Sequence, residues 1–391
     1  MSAAPAPAPR PKKLRILGIR GIPAAHGGFE TFAEYLALYL AARGWEITVY
    51  CQEDGKGPIV QDDFGDIRRV RIPISHGGPL GTIVFDWKST LHASRSGELC
   101  LTLGYNTAVF CGWLRLRGVP NVINMDGIEW KRAKWGRVAK AWFWLNDWFG
   151  CWLGNHLIGD HPEMKVHLAT RTRADKITMI PYGAERIDHA PLDPIRSLGL
   201  QPGRYFTVIA RPEPENSLLE IVRGFSRRQR GMTLAVLGRY EPDHPYHRAV
   251  LDAASDEVRF LGPIYDKHVL NSLRLHCAAY VHGHQVGGTN PSLVEALGAG
   301  NAVIARDNRF NRWVAGDAAV YFKDEAECAR RFDEWQAEGF EARAAAMRQA
   351  SRQRHAEAFT WKHILQQYEH LLRRFRPEAP LHKRGSQRKR G

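Results

Sequence analysis

The sequence predicts a two-domain α/β protein in which each domain is a doubly wound parallel sheet and a cleft separates the two. Short apolar runs alternate with helical patterns along most of the 391 residues, and this alternation is typical of parallel sheets. A stretch rich in Pro, Asp and Arg at about 184–203 interrupts it, and the length suits two domains. Ligands of such sheets bind beyond the carboxyl ends of the strands, so we expect the functional site in the cleft.

The first half of the chain alternates strand-like runs with helical patterns. One helix is expected at Phe29–Arg43, because its apolar residues recur on one helical face and Gly44 follows it. Further helices are expected near 106–117 and 162–170. Strands are expected at 14–19, 46–51, 99–104, 121–126, 155–160 and 176–183.

The second half repeats the alternation. Strands are expected at 205–210, 232–238, 258–262, 277–283 and 301–306. Helices are expected at 216–229, 244–254, 266–274 and 291–299, and one long helical segment at about 341–375.

Composition excludes several classes of protein. No apolar run reaches 18 residues, so we expect no transmembrane helix, and the start MSAAPAPAPRPKK is expected to be a flexible tail, since it lacks the apolar core of a signal peptide. The six cysteines form no C-x-x-C pair and are expected to be reduced thiols of a cytoplasmic protein. Nine positive charges lie in the two acid-free ends, which leaves only +5 of the net +14 for the body. We therefore expect no nucleic-acid partner.

The first loop that is able to carry chemistry is RGIPAAHGGFET, directly after the first strand. A phosphate meets a parallel sheet at this position, and Gly27 and Gly28 permit close approach of a ligand to the backbone. His26 is able to exchange a proton. The loop is not a dinucleotide motif of the G-x-G-x-x-G type. A plain tight turn with a surface histidine is the alternative.

The second loop is NMDGIEW, in which Asp126 follows an apolar strand and Glu129 lies three residues on. Two carboxylates at a strand end are able to bind sugar hydroxyls or accept a proton. A helix cap and a solvated Glu are the alternative.

The third loop is VIARPEPENS, in which Arg211 stands right after a strand. A guanidinium there is able to bind a phosphate with two hydrogen bonds. The alternative is an exposed arginine that pairs with Glu213 or Glu215.

The fourth loop is HGHQVGGTNPSLVEALGAG, which joins a strand to a helix through small residues. Asn290 has the chemistry of an N-cap and Pro291 suits the first helical position. The N–H groups of Gly288, Thr289 and the first turn then form an anion site, and Glu295 is able to accept hydrogen bonds from hydroxyls. The alternative is a well-capped structural helix.

Together these motifs resemble the GT-B glycosyltransferases, which have two Rossmann-like domains, and in particular the retaining family 4. Glu295, Ala296 and Gly300 match the second half of that family's pattern E-G-F-G-x-x-x-x-E-A-x-x-x-G. The resemblance covers about 14–375 and is strongest to a bacterial sub-branch of rhamnosyltransferases of capsule and exopolysaccharide assembly. Two residues depart from the pattern, because Gly287 stands where the first Glu is usual and Asn216 where a Lys is usual. Arg239 is a candidate substitute for that Lys.

The resemblance implies the domain roles. It divides the chain into a tail (1–13), an acceptor-side domain (14–187), a domain that binds a nucleotide sugar (188–352), a helix that packs back on the first domain (353–375) and a basic tail (376–391).

The resemblance also implies a reaction, the transfer of a sugar from a nucleoside diphosphate to a hydroxyl with retention of configuration. No metal is expected, and the sequence has no Asp-x-Asp cluster. Arg211 is expected to stabilise the leaving diphosphate, Glu295 to bind the ribose, and Asp126 to be the first choice for the acceptor proton. The donor is expected to contact Gly27, Gly28, Arg211, Asn216, Gly288, Thr289, Asn290 and Glu295. The acceptor is expected to contact Asp126, Glu129, Trp130 and His26.

The partners implied are dTDP-L-rhamnose as donor and a polyprenyl-diphosphate-linked saccharide as acceptor, on the cytoplasmic face of the membrane. Six of the twelve tryptophans lie in Trp130–Trp152 among basic residues, which favours contact with a membrane surface, assisted by the basic tails. The alternative is that Trp142, Leu145 and Phe149 bury a core face. Another family 4 hexosyltransferase, a sugar-nucleotide epimerase of the same fold and a non-catalytic scaffold are competing hypotheses.

Overall fold

The computed structural model describes residues 12–25, 27–132 and 134–375, and it confirms the predicted fold of two doubly wound α/β domains. His26 and most of both predicted tails lie outside the described residues. The first domain contains one eight-stranded sheet in the order β3-β4-β2-β1-β5-β6-β7-β8, parallel except for the antiparallel pair β3–β4. Its strands are β1 (Lys12–Leu17), β2 (Trp45–Asp54), β3 (Val60–Phe64), β4 (Ile67–Ile74), β5 (Leu99–Leu103), β6 (Asn121–Asn124), β7 (His156–Gly159) and β8 (Ile177–Met179).

Helices cover both faces of this sheet. One face packs against α1, whose buried residues Phe32, Leu36 and Leu40 form the predicted apolar stripe. The other face packs against α2, α3, α4 and α5. These helices are α1 (Gly28–Ala41), α2 (Gly78–Ala93), α3 (Cys111–Leu116), α4 (Arg137–Leu153) and α5 (Pro162–Ala169).

The second domain has six parallel strands in the order β11-β10-β9-β12-β13-β14. The strands are β9 (Tyr205–Ile209), β10 (Thr233–Leu237), β11 (Val258–Gly262), β12 (Ala279–His282), β13 (Val303–Arg306) and β14 (Ala319–Phe322). The helices from the linker onward are α6 (Asp193–Ser197), α7 (Leu218–Ser226), α8 (Pro245–Asp252), α9 (Lys267–Leu275), α10 (Pro291–Gly298), α11 (Arg309–Ala315), α12 (Glu325–Glu334), α13 (Phe340–Ala358) and α14 (Trp361–Arg373).

The end of the described chain returns to the first domain, as the resemblance implies. Trp361 and Tyr368 of α14 pack in the same core cluster as α1 and β1, and the Tyr368 hydroxyl accepts a hydrogen bond of 2.8 Å from Asn124. The exact boundaries of the predicted domains stay a prediction.

Three sequence-based expectations were incomplete. The residues between 307 and 340, for which no element was expected, form the helices α11 and α12 and the edge strand β14. The segment 341–375 is two helices, because Thr360 caps α14 and residues 359–360 pair with the first domain at Ala184, whose N–H donates 2.8 Å to the carbonyl of Phe359. The residues between 52 and 98 add the edge strands β3 and β4 and the helix α2. Their charged, irregular pattern concealed them, as is usual for edge strands.

Candidate active site in the interdomain cleft

A cavity of about 340 Å³ lies between the domains, where loops from the carboxyl ends of strands in both sheets meet. All four loops singled out in the sequence line it, the second, third and fourth through Asp126, Glu129, Arg211 and the segment 286–291. The first loop contributes Gly28. The rule that parallel sheets bind ligands at this edge therefore located the cleft correctly.

The start of α10 forms one wall of the cavity, and its predicted capping is confirmed. The Asn290 side chain accepts a hydrogen bond of 3.1 Å from the N–H of Ser292, and Pro291 is the first helical residue. Opposite lies the start of α1, so close that a Cβ on Gly28 would stand 3.2 Å from Cγ of Pro291. Two helix N-termini therefore face each other across the cleft.

Asp126 lies at the end of β6 on the opposite wall. Its φ of 51° places it in the left-handed region, which Asp tolerates better than most residues. Burial is the main cause that raises the pKa of its carboxyl to about 6, and the negative charge of Glu129 is the second. A carboxylate of this pKa is suited to accept a proton near neutral pH.

Asp160, which the sequence analysis missed, lies beside Asp126 at the end of β7. Its carboxylate accepts a hydrogen bond of 2.7 Å from the N–H of Thr289, and its carbonyl accepts one from the Thr289 hydroxyl. Burial, and next the charge of Asp126, raises the pKa of Asp160 to about 7. The anion position at the start of α10 is thus occupied by a carboxylate of the other domain.

Arg132 joins the two walls by ion pairs. Its Nη1 lies 2.6 Å from Glu129 and its Nε 2.6 Å from Glu215 of the second domain. Glu129 also accepts a hydrogen bond of 3.1 Å from Trp135. Both carboxylates are therefore held in ion pairs with Arg132. Glu215, which one alternative paired with Arg211, pairs with Arg132 instead.

Arg211 lies at the end of β9, between the cleft cavity and a second cavity of about 600 Å³. The loops that follow β9, β10 and β11 line the second cavity, and Arg239 lies among them. The Arg211 side chain is exposed, and no carboxylate of the described residues lies within ion-pair distance of it. The alternative of an arginine paired with Glu213 or Glu215 is therefore wrong.

Four residues assigned to ligands from the sequence do not line the cleft cavity. Asn216 is buried beneath the loop, where its amide donates 2.8 Å to the carbonyl of Arg211. Glu295 pairs with Arg274. Trp130 donates 2.9 Å to Asp147. Gly27 precedes α1 with φ 112°, where a Cβ would meet the Glu30 carboxylate.

Most of the tryptophan-rich segment forms α4, and the alternative of a buried core face holds only in part. Phe149 packs against the core and Trp142 is half-buried, as that alternative expects. Asn146, Asp147, Gly150 and Cys151 face inward, whereas Leu145 is exposed. The rings of Trp144, Trp148 and Trp152 contact one another in edge-on and tilted arrangements and form a stripe along the helix. We define the tryptophan face as six of the exposed apolar side chains of helices α2, α3 and α4, namely Trp87, Trp113, Leu116, Trp144, Leu145 and Trp152.

Within the described residues, no His, Cys, Asp or Glu side chains come together in a group of three suited to a metal ion. The absence of a metal from the reaction stays a prediction. The six cysteines are all buried free thiols. Within the same part of the chain, no helix combines the length and apolarity needed to cross a bilayer.

Two sequence families match the chain, one in each domain. Residues 27–183 match the family described as glycosyl transferase 4-like domain, and residues 219–370 match the family described as glycosyl transferase-like. Among curated proteins, none matches significantly.

Many solved structures share the fold at low sequence identity. Sucrose-phosphate synthase from Thermosynechococcus elongatus has a TM-score of 0.76 at 17% identity, over 93% of this chain and 98% of that one. The Anabaena protein HepE, solved with UDP and glucose, has a TM-score of 0.73 at 15% identity, over 93% and 100%. The UDP-forming α,α-trehalose-phosphate synthase of Burkholderia xenovorans, solved with glucose-6-phosphate, has a TM-score of 0.71 at 13% identity, over 93% and 100%.

Proposed function

We propose that this chain, a glycosyltransferase of the GT-B family, transfers a sugar from a nucleoside diphosphate sugar to a hydroxyl of a lipid-linked saccharide. L-Rhamnose, carried by dTDP, is the sugar we favour. The transfer retains configuration and uses no metal ion. The product is a longer lipid-linked saccharide of capsule or exopolysaccharide assembly.

The position of Arg211 carries this proposal. Arg211 separates a cavity of about 340 Å³ from one of about 600 Å³, and it has no carboxylate partner among the described residues. A nucleoside diphosphate sugar has the same order of parts, with a diphosphate between a sugar and a nucleoside. We place the diphosphate at Arg211, the sugar in the cleft and the nucleoside in the larger cavity, beside Arg239.

The chemistry follows from the charges on the two walls. Negative charge grows on the diphosphate as the bond to the sugar breaks, and Arg211 with the N–H groups of the α10 start stabilises it. Thr289 is then released from Asp160. Asp126 accepts the proton of the attacking hydroxyl. Attack from the face of the departing diphosphate requires no protein nucleophile.

The proposed sugar rests on the resemblance and on Gly287. A Cβ at Gly287 would have no atom within 4 Å, so there is open space beside the backbone where the resemblance implies a glutamate. This space accommodates a sugar with contacts different from those of glucose, such as a 6-deoxy sugar. The similar solved structures carry the names of sucrose-phosphate and trehalose-phosphate synthases, and rhamnose and the lipid-linked acceptor are our proposals.

The tryptophan face supports an acceptor held at a membrane. Leu116 is 82% and Trp152 55% exposed. Exposed arginines at 115, 117 and 137 flank the face, and none of them forms an ion pair within the described part of the chain. Aromatic rings beside unpaired arginines suit an interface of anionic lipids. The face belongs to the same domain as Asp126, which we assign to the acceptor.

Binding of nucleotides to the purified protein tests the reaction class. We expect dTDP and UDP, and one or more of their sugars, to raise the melting temperature, and the productive donor to be hydrolysed slowly without acceptor. dTDP-L-rhamnose, UDP-glucose and GDP-mannose form the panel, with AMP as control. Absence of a shift with every nucleoside diphosphate would overturn the proposal.

Vesicle binding tests the acceptor class. Replacing both Trp144 and Trp152 by Ser removes two half-exposed rings and is expected to weaken binding to anionic vesicles by about tenfold or more. Transfer to a soluble acceptor analogue is expected to stay unchanged. Leu38→Ser is the matched control, because Leu38 is 47% exposed on α1. Equal binding of the two variants would rule out the tryptophan face as the membrane contact.

A further inference from the structure

Two stacked histidines lie at the end of β12, next to the cleft. The rings of His282 and His284 are 4.4 Å apart and 9° from parallel. His284 lines the cleft cavity, whereas His282 lies behind it in the protein interior. Neither ring forms a hydrogen bond with a described residue. Unpaired buried polar groups are costly, so they call for a specific explanation.

The two nitrogens of His284 differ in their surroundings. Nδ1 is shielded from solvent and has no partner among the described residues. Nε2 is not shielded and also has none, so it is the nitrogen that a ligand is able to reach. Burial is the main cause that lowers the pKa of this imidazole to about 3, and the positive charges of Arg132 and Arg211 lower it further. The ring is neutral at physiological pH and offers one uncharged hydrogen bond.

The loop that carries His284 is held in place. The His284 carbonyl accepts hydrogen bonds of 2.9 Å from the amides of both Asn308 and Asn311. The next residue, Gln285, donates 2.9 Å from its backbone to Glu215 and 2.9 Å from its side chain to Ser217. With His282 stacked behind, the ring has little freedom to lose when a ligand binds.

Gly287, three residues on, opens the space beside this ring. Its φ is 130° and a Cβ there would contact nothing within 4 Å, and both residues line the same cavity. Two of the carboxylates in the cleft already have partners, since Glu129 binds Arg132 and Asp160 binds Thr289, and we assign the third, Asp126, to the acceptor. His284 is therefore an unengaged polar group beside the space where related chains carry a glutamate.

We propose that Nε2 of His284 binds a hydroxyl of the donor sugar, in the place of the carboxylate that Gly287 lacks. This inference rests on the proposed function and adds the residue that recognises the sugar. An imidazole forms one hydrogen bond where a carboxylate accepts two, and it adds no charge beside Asp126 and Asp160. The site then favours a sugar with a single hydroxyl at this position.

Two substitutions separate recognition from packing. His284→Phe keeps a ring stacked on His282 and removes both nitrogens, whereas His284→Gln keeps a polar atom near the position of Nε2. Calorimetry gives the dissociation constants of UDP, UDP-glucose, dTDP and dTDP-L-rhamnose. In His284→Phe we expect the nucleotide sugar to bind about tenfold more weakly, which corresponds to one lost hydrogen bond. The free nucleotide is expected to bind within about twofold of wild type.

The remaining outcomes distinguish the two proposals. Partial recovery of sugar binding in His284→Gln supports recognition by a hydrogen bond. Equal loss for nucleotide and nucleotide sugar, or no loss for either, overturns the assignment of His284 while the glycosyltransferase activity stands. A wild-type protein that binds no nucleoside diphosphate overturns the proposed function and this inference with it.

Discussion

The two walls of the cleft differ in charge, although both are built from the same kind of strand-end loop. The first domain contributes the carboxylates Asp126 and Asp160, both with raised pKa values. The second contributes Arg211 and the N-terminus of α10. Burial makes ionisation of the first wall costly, whereas the second wall attracts negative charge. One wall is thus suited to accept a proton and the other to hold an anion.

The walls also bind each other. Asp160 occupies the N–H of Thr289, and Arg132 reaches across to Glu215. A carboxyl oxygen of Asp160 thus fills the hydrogen-bonding position at the start of α10. The comparison therefore predicts that a phosphate competes with Asp160 for the same N–H group.

The largest expected effect tests the proton-accepting wall. Asp126→Asn keeps a residue that tolerates the left-handed backbone and removes the base. We expect kcat/KM for transfer to fall about 10³-fold, within the range for loss of a general base, while the dissociation constant of the donor stays within about threefold.

The pH profile checks the same assignment. Because Asp126 has to be ionised to accept a proton and its pKa is about 6, wild-type activity is expected to fall as the pH drops below 6. The variant is expected to lack this acidic limb. Glu129→Gln is the control and is expected to cost less than about tenfold, since Glu129 already pairs with Arg132. A variant with wild-type rate and profile would move the base to another residue.

The next effect tests the anion-binding wall. Arg211→Ala removes the cation between the two cavities, and we expect the transfer rate to fall about 10²-fold or more, as for loss of a donor that stabilises transition-state charge. Arg239→Ala, one strand further along the sheet, is expected to cost less than about tenfold. An unchanged rate in Arg211→Ala would remove this residue from the site.

The smallest effect tests the contact between the walls. The folded-state pKa of Asp160, about 7, lies above its ordinary value, so the folded protein holds this proton more tightly than the unfolded chain does. The protonated Asp160 therefore contributes to the free energy of unfolding below about pH 4, and this contribution is lost as the pH rises to 7. Asp160→Asn has no proton to lose, so the stability of the variant relative to wild type is expected to be greater above pH 7 than below pH 5.

Melting temperatures at pH 5 and pH 8 measure this difference. Asp243→Asn, at a fully exposed side chain, is expected to show no such change with pH. An advantage of the Asp160 variant that is the same at both pH values would contradict the raised pKa.

The sequence indicated those residues of the cleft cavity that lie at strand ends, and it missed contacts that join distant parts of the chain. Asp126 and Arg211 each lie two residues after the end of an apolar strand, and strands of a parallel sheet end at one edge. Asp160 has the same local signal, an acid after an apolar run, but its partner Thr289 is 129 residues away. The pairing of Arg132 with Glu215 likewise joins residues from different domains, so no local pattern contains it.

The fold was predictable for a related reason. Buried parallel strands are continuous apolar runs, which the sequence displays directly. The edge strand β3, with the sequence VQDDF, lacks that signal. The break between α13 and α14 depends on pairing with Ala184. Because the sequence on both sides of this break is helical, the sequence alone does not reveal it.

The return of α14 to the first domain sets an order of events during synthesis. The core of that domain contains Trp361, Ile364, Leu365 and Tyr368 together with residues of β1 and α1. The ribosome makes β1 first and α14 more than 340 residues later, so the first domain completes its core only after the second has been translated. The half of the protein that is made first therefore cannot complete its core until the helix α14 has been made.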